Sequence, residues 1–306
     1  MILHIDLINE QAKKDLAAFI RETDAAYLQQ LEHIAAYIRA THKQRPIVLI
    51  SGPSGSGKTT TAQLLERILE RNGLESHTLS MDNYFKSLSA ADWELVEKGE
   101  LDLESPERVD VDLLNEQLAA MVRGEAVSLP KYDFVASRRV DSGKILQRGE
   151  HEIVILEGIH TLNPDVVRLP DENMTKLYIS VRTRVVYDDI SLHPSKIRLL
   201  RRMLRDRVNR GRSPEETLAL FPSVQRGESR YIMPYKERAD FDIDTFIAYE
   251  LGVYKRAFNE ELSHLHDHAE IDPLLTILEH AEEIDDTPVP PDALIREFIG
   301  NGIFEH

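Results

Sequence analysis

The sequence contains no cysteine, no long hydrophobic run and comparatively little positive charge. The absence of cysteine from its 306 residues excludes disulfides, thiolate catalysis and cysteine-type zinc sites. The longest apolar stretches are about the length of a strand, and the N-terminus has neither a basic start nor a cleavage-site pattern. We therefore expect neither a membrane span nor a signal peptide, and the sequence predicts a cytoplasmic protein.

The charge balance argues against a general affinity for nucleic acid or anionic lipid. The chain has 53 acidic and 37 basic residues, a formal net charge of −16, whereas neutralising many phosphates needs a basic surface. Any phosphate binding must therefore be local. An apolar content of 42% is enough for a sizeable core, and the length suits one large α/β domain with helical additions or two small domains.

Short apolar runs alternate with helical or mixed segments along the middle of the chain. The runs lie at 47–50, 78–81, 153–156, 176–181 and 241–246. Apolar strands separated by helices predict a parallel sheet covered on both faces, the doubly wound α/β class. Residues 10–40 have apolar side chains at helical spacing, which predicts two short helices or one long broken helix.

A glycine-rich loop follows the first of these runs. Residues 52–59 match G-x-x-x-x-G-K-[ST] in full, with a strand before the loop and an amphipathic stretch after it. In such a loop the backbone N–H groups surround phosphates, Lys58 bridges the β- and γ-phosphates, and Thr59 binds Mg²⁺. The alternative is an ordinary turn. The predicted ATP-binding residues here are Gly52, Ser54, Gly55, Ser56, Gly57, Lys58, Thr59 and Thr60.

Two acidic residues end neighbouring predicted strands. Glu157 follows the run 153–156, at the edge where open α/β sheets bind ligands, and we expect it to face the metal. Asp82 follows the run 78–81 and can accept the proton of an attacking hydroxyl group. The alternatives are a solvated acid at a strand end for Glu157 and a helix N-cap for Asp82.

Residues 196–212 reverse the charge of the chain, with eight basic residues and one acid. Leu200, Met203, Leu204 and Val208 would form one apolar face, so the arginines, including Arg205, would cover the other faces until Gly211 ends the helix. We predict a mobile lid over residues 196–222 that closes on ATP and excludes water. The alternatives are a solvated basic helix and an RNA-contacting stripe.

Five segments together resemble the uridine kinase and phosphoribulokinase family of P-loop kinases. These are the loop, 81–84, 131–134, 156–159 and 201–212, in the order and approximate spacing of that family across residues 46–246. The sequence is most similar to a bacterial nucleoside kinase branch, which shares 222–224, 226–228 and 296–300. Longer members of that branch carry a synthetase-like N-terminal module that this sequence lacks.

The resemblance implies roles for individual residues. Asp82 would be the catalytic base, Glu157 would serve Mg²⁺ and Tyr132 would contact a pyrimidine. Arg202, Arg205, Arg210 and Arg212 would bind phosphates, with Lys58 and Arg205 acting in catalysis beside Asp82. The predicted acceptor site comprises Asp82, Tyr84, Glu104, Tyr132, Ser137, Arg139 and Arg202.

Two acceptor-site positions depart from the family pattern. Uridine kinases have an aspartate that holds the ribose hydroxyls where this chain has Glu104, and a histidine that reads the base where it has Ser137. Arg138 and Arg139 could instead favour an anionic acceptor through bidentate contacts, or could be a solvated pair in a hairpin.

The resulting prediction is a P-loop kinase that transfers the γ-phosphoryl group of MgATP to a small hydroxyl-bearing molecule, with a nucleoside as the leading acceptor. The alternatives are a non-nucleoside acceptor, such as a sugar phosphate or polyol, and a P-loop ATPase or RNA-associated switch. We predict a kinase domain at 46–248 with an acceptor-site insertion at 92–150. Helical extensions at 1–45 and 249–306 would pack on the sheet or form a homo-oligomer interface.

Overall fold

A computed structural model describes residues 1–98, 100–258, 261–265, 268 and 271–304. The strands are β1 (Ile2–His4), β2 (Ile47–Ser51), β3 (Glu75–Ser80), β4 (Ala126–Asp133), β5 (Arg138–Gln147), β6 (Glu152–Glu157), β7 (Met174–Ser180), β8 (Arg184–Tyr187), β9 (Ile190–Leu192) and β10 (Phe241–Asp244). The helices are α1 (Ile5–Lys14), α2 (Leu16–Thr41), α3 (Lys58–Arg71), α4 (Ala90–Glu97), α5 (Val111–Val122), α6 (Pro194–Arg210), α7 (Pro214–Gly227), α8 (Glu250–Phe258), α9 (Asp272–His280) and α10 (Arg296–Ile299).

Five parallel strands form the central sheet, in the order β10-β7-β2-β6-β3. All residues of β2 and β7 are buried, as expected for apolar strands covered on both faces. The predicted doubly wound α/β fold is therefore confirmed. β3 begins at Glu75, three residues earlier than predicted, because Glu75 still pairs with Glu152 of β6.

The N-terminal segment packs into the same core as the sheet. α2 is one continuous helix of 26 residues, and Asp15 caps its start by accepting from the N–H of Ala18 at 2.9 Å. Tyr27 of α2 makes a buried 2.7 Å hydrogen bond with Thr61 of α3. β1 pairs with β8 in a second small sheet, β1-β8-β9, which the sequence patterns do not predict.

The predicted insertion contains α4, α5 and the hairpin β4–β5. A second apolar cluster joins α5 and the hairpin to the face of the central sheet, and includes Leu118, Met121 and Leu156. Across the described ranges the structure contains no helix that is both long enough and apolar enough to cross a membrane.

The C-terminal segment contains several short helices. The described residues of the predicted extension 249–306 include α8, a 3-10 turn at Glu261–Leu265, α9 and α10. The turn-rich segment 281–295 then brings α10 back onto α6 and places Phe298 in the main core. The division of the chain into a kinase domain and two extensions stays a prediction.

Candidate active site

Three neighbouring strands end together at one edge of the central sheet and deliver the predicted site residues. β2 leads into the glycine-rich loop, β6 ends at Glu157, and β3 is followed by Asp82 in a 3-10 turn at Met81–Tyr84. The carboxyl ends of parallel strands meet at one edge, so the topology brings these groups together. A Cβ on Gly158 would lie 2.5 Å from that of Met81, so a glycine is needed where these two segments cross.

The loop has the backbone shape that its glycines allow. Gly55 and Gly57 have φ angles of 75° and 85°, in the left-handed region that favours glycine. The first intrahelical hydrogen bond of α3 runs from the Thr61 N–H to the Gly57 carbonyl at 2.9 Å. The N–H groups that precede Thr61 in the first turn therefore lie at the positive end of α3, where anions bind.

Lys58 and Thr60 have different surroundings in this first turn. Lys58 Nζ donates to the Pro53 carbonyl at 3.2 Å, and burial lowers its pKa while the Glu157 carboxylate raises it. Thr60, which we predicted to bind ATP, donates through its N–H and its hydroxyl to Glu297 Oε2, at 3.3 and 2.8 Å. The structure thus places a carboxylate of α10 at the start of the phosphate-binding helix.

Glu157, which is buried, and Asp82, which is half-buried, form a pair of carboxylates. Burial, reinforced by the charge of Asp82, raises the pKa of Glu157 to about 7, although the Ser80 hydroxyl hydrogen-bonds the carboxylate and opposes the shift. Burial also raises the pKa of Asp82, against the positive charges of Lys58, Arg205 and Arg210. The charge of Lys58 therefore acts on both acids, beside the loop where phosphoryl transfer needs a base and a metal ligand.

The donor set also suits a magnesium ion. Mg²⁺ prefers oxygen ligands and is usually held by one or two carboxylates together with substrate phosphates. Glu157 supplies a carboxylate that is only 6% exposed, and Thr59 supplies a hydroxyl in the first turn of α3.

Part of the arginine helix directs its side chains at the loop. Arg202 and Arg205 both donate to the Ser54 hydroxyl, at 2.7 and 3.3 Å. Asp206, fully buried, attracts Arg202, Arg205, Arg210 and Arg212 at 3.5, 3.8, 2.9 and 3.7 Å. The single acid of the helix thus gathers the four arginines that the family resemblance assigns to phosphates.

Other arginines of α6 are structural. Arg201, with no exposed surface, forms a bidentate pair with Glu250 at 2.7 and 3.0 Å and donates to the Gly55 carbonyl at 3.3 Å. Arg198 pairs with Glu228 at 2.7 Å. The expectation that all the arginines cover outer faces of the helix is wrong for these two, because buried carboxylates neutralise them. Val208, which we predicted to lie on the apolar face of the helix, is 53% exposed.

Glu104 is the acceptor-site residue that the structure brings into the cleft. Burial raises its pKa, while the charges of Arg202 and Lys58 lower it. A Cβ on Gly227 of α7 would lie 2.5 Å from that of Glu104, so this glycine allows the Glu104 loop to lie against α7. The carboxylate therefore shares its electrostatic surroundings with Asp82, which also acts on it.

Tyr84 and Tyr132 are largely buried. Tyr84, 1% exposed, donates to Gln117 Oε1 at 2.8 Å within the second apolar cluster and has no free face for a ligand. Tyr132 accepts from Arg108 at 3.2 Å and packs edge-on against Phe85 and Phe134, with ring centroids 5.8 and 5.1 Å away. An aromatic corner thus borders the insertion, with Phe134 61% exposed.

Ser137 and Arg139 lie on the hairpin and are engaged there. Ser137 has a φ of 50° in the turn, and its carbonyl accepts from the Leu88 N–H at 2.8 Å. Arg139 pairs with Asp110 at 2.7 Å. Because Asp110 already neutralises Arg139, the structure offers no support for a second phosphate site at this arginine.

Several residues near the cleft were missed from the sequence. His160 is 1% exposed, its ring lies 6.2 Å from that of Tyr231, and burial lowers its pKa to about 4, so it is neutral near pH 7. Its position three residues after Glu157 was a usable signal. Asp206 could have been found as the only acid among eight basic residues, and Glu297 as part of the terminal 296–300 motif.

Comparisons with known proteins agree with this geometry. The model of the Phosphoribulokinase / Uridine kinase family matches residues 47–249. The chain belongs to this family. A uridine kinase from Lactobacillus johnsonii is 35% identical over 204 residues, and one from Borrelia duttonii is 31% identical over 198 residues; each match covers 64% of this chain and 85% of the relative.

Solved structures of kinases also align with this family member. A possible uridine kinase from Bacillus stearothermophilus has a TM-score of 0.45 at 18% identity, covering 71% of this chain and 98% of that one. D-glycerate 3-kinase from Cryptococcus neoformans has a TM-score of 0.45 at 17% identity, covering 72% and 88%. Membership of the family, with the complete phosphate loop, makes the chain an ATP-dependent small-molecule kinase.

Proposed function

We propose that this kinase transfers the γ-phosphoryl group of MgATP to a hydroxyl group of a nucleoside. The observation that carries the proposal is the position of Asp82, a half-buried carboxylate on which Lys58, Arg205 and Arg210 act from the phosphate side. The assignment rests on this grouping of charges and on the family.

In the proposed reaction, each group has a distinct task. Asp82 accepts the proton of the attacking hydroxyl as the phosphoryl group leaves ATP, and its raised pKa strengthens it as a base. Lys58, Arg202 and Arg205 bind the phosphate oxygens and offset their charge. Glu157 and Thr59 would hold Mg²⁺, which would supply positive charge to offset that of the phosphate oxygens.

The acceptor side favours a neutral polyhydroxyl compound over a phosphorylated one. The charges of Asp82 and Asp102 both act on Glu104 there, and a carboxylate such as Glu104 accepts hydrogen bonds from hydroxyl groups. Arg139, the residue that suggested an anionic acceptor, is paired with Asp110. Glu104 could accept from the adjacent hydroxyls of a sugar, and the aromatic corner around Tyr132 could contact a base, so the two features together suit a nucleoside. The curated relatives are named uridine kinases, which agrees with this choice.

A panel of acceptors tests the assignment directly. Purified protein with MgATP is offered pyrimidine and purine nucleosides, polyols and sugar phosphates, and acceptor-dependent ADP release is measured. We expect release with one or more nucleosides. Release only with polyols or sugar phosphates would replace the nucleoside by the alternative acceptor class, and ATP hydrolysis that no acceptor stimulates would contradict the transfer assignment.

A further inference from the structure

The segment that contains α10 lies on the phosphate-binding loop. Leu294, 1% exposed, is the nearest neighbour of Gly57, with its Cδ1 3.1 Å from where a Cβ on this glycine would lie. Phe298, fully buried, packs against Arg201, whose guanidinium carbon is 5.0 Å from the ring centroid. The two apolar side chains thus place α10 against the loop and against α6.

Glu297, between these anchors, directs its carboxylate at the start of α3. It is 7% exposed, and Oε2 accepts from the Thr60 N–H at 3.3 Å and from the Thr60 hydroxyl at 2.8 Å. The residue before α3 is Gly57, which has no side chain to cap the helix. A carboxylate from the far end of the chain therefore binds donors that anions take at a helix N-terminus.

These donors are also the ones that a nucleotide needs. In a P-loop the N–H groups of the loop and the first helical turn hold the α- and β-phosphates, and Thr60 directly follows the Lys58-Thr59 pair. Glu297 also adds negative charge, which acts on both Lys58 and Glu157. A bound nucleotide and the Glu297 carboxylate therefore compete for one N–H, one hydroxyl and the same local positive charge.

The terminal segment is built as a unit. Arg296 donates to the Asp286 carboxylate at 2.7 Å and to the carbonyls of Asp286 and Val289 at 2.7 and 2.8 Å. An ion pair between Arg67 of α3 and Asp292 of the terminal segment, 3.3 Å apart, also joins the two, and both side chains are about half exposed. Internal bonds shape the segment, whereas an exposed ion pair of this kind adds little to holding it on α3.

We propose that the segment 289–299 is an intrasteric gate on the nucleotide site. In this gate the Glu297 carboxylate occupies the position that a phosphate group of ATP takes when the nucleotide binds. Binding of ATP displaces the carboxylate from Thr60 and loosens α10, and loss of the nucleotide lets it return. The proposal rests on ATP binding at the loop and is independent of which acceptor is used.

Hydrogen exchange on the wild-type protein tests the gate without any substitution. With saturating MgATP we expect faster amide exchange in peptides covering 293–300 and slower exchange in peptides covering 58–61. A carboxylate that serves only as a helix cap would stay in place beneath the nucleotide. Unchanged or slower exchange at 293–300 would therefore overturn the proposal, whatever the acceptor panel shows.

Glu297→Gln supplies the second arm, because it keeps the shape of the side chain and removes its charge. We expect the dissociation constant for MgATP, measured by calorimetry, to fall by about 10-fold, since a charged hydrogen-bonding competitor has been weakened. Glu283→Gln is the matched control, an exposed acid of the same region that pairs with Arg256 at 3.4 Å. Unchanged or weaker MgATP binding in a folded Glu297→Gln protein would contradict the gate.

Discussion

The two sides of the cleft are built differently. On the donor side, arginines of α6 hydrogen-bond directly to the phosphate loop, as Arg202 does to the Ser54 hydroxyl at 2.7 Å. On the acceptor side, Glu104 enters the cleft, while Tyr84, Ser137 and Arg139 are engaged within the insertion or its hairpin. We therefore propose that phosphoryl transfer takes place at the sheet edge and that acceptor choice depends on the inserted region.

The largest expected effect is on the donor side. Lys58→Ala removes the cation that we assign to the β- and γ-phosphates, so we expect both weaker MgATP binding and a transfer rate lower by about 10²- to 10³-fold. Calorimetry and ADP release measure the two effects separately. Lys43→Ala, at an exposed lysine, is the control. Normal transfer by Lys58→Ala would remove the phosphate loop from the reaction.

A moderate effect is expected in the pH dependence of stability. The pKa of Glu157 is raised from 4.5 to about 7 in the folded protein, so folding favours its protonated form. Its stabilising contribution is complete below pH about 4.5 and is lost as the pH rises through about 7. In EDTA the Tm should therefore decrease over this range, by ~2–4 °C for each kcal/mol lost.

Glu157→Gln isolates this contribution. The variant cannot ionise at position 157, so its Tm should decrease less over the same pH range, while Glu94→Gln, at an exposed acid, should follow the wild type. Parallel Tm curves for wild type and Glu157→Gln would show that Glu157 ionises as an ordinary solvated acid.

The smallest effect is expected on the acceptor side. Arg139→Ala breaks a partly exposed pair with Asp110, which should lower the free energy of unfolding by ~0.2–1 kcal/mol and change the acceptor KM by less than about 3-fold. Arg138→Ala, at the exposed neighbouring position, is the matched control. A loss of acceptor affinity of about 10-fold in Arg139→Ala alone would give Arg139 a direct role in binding the acceptor. Both sides of the cleft would then use arginines to bind their ligands.

Local patterns predicted much of the donor side. In residues 47–71 an apolar run predicts the strand, the glycines predict the loop, and amphipathic spacing predicts the helix. The ends of β6 and β3 then follow from the rule that ligands bind at the carboxyl edge of a parallel sheet. These inferences needed no long-range contact to be known in advance.

The parts that were not predicted depend on distant partners. β1 is three residues long and pairs with β8 across most of the chain, and Glu297 reaches Thr60 across 237 residues. Neither contact leaves a periodic signal in the sequence. The side-chain direction of Tyr84 was also not predictable from the sequence. Tyr84 lies in the same motif as Asp82 but packs in the apolar cluster, because the 3-10 turn directs the two side chains to different places.

The most direct test of the account is the turnover of Asp82→Asn with the best acceptor from the panel. We predict that MgATP binding changes by less than about 3-fold, while acceptor-dependent ADP release falls by about 10²- to 10⁴-fold, because a positioned base is lost. Asp189→Asn, at an exposed aspartate between β8 and β9, should behave as the wild type. Turnover of Asp82→Asn equal to that of the wild type would contradict the assignment of the cleft as the transfer site.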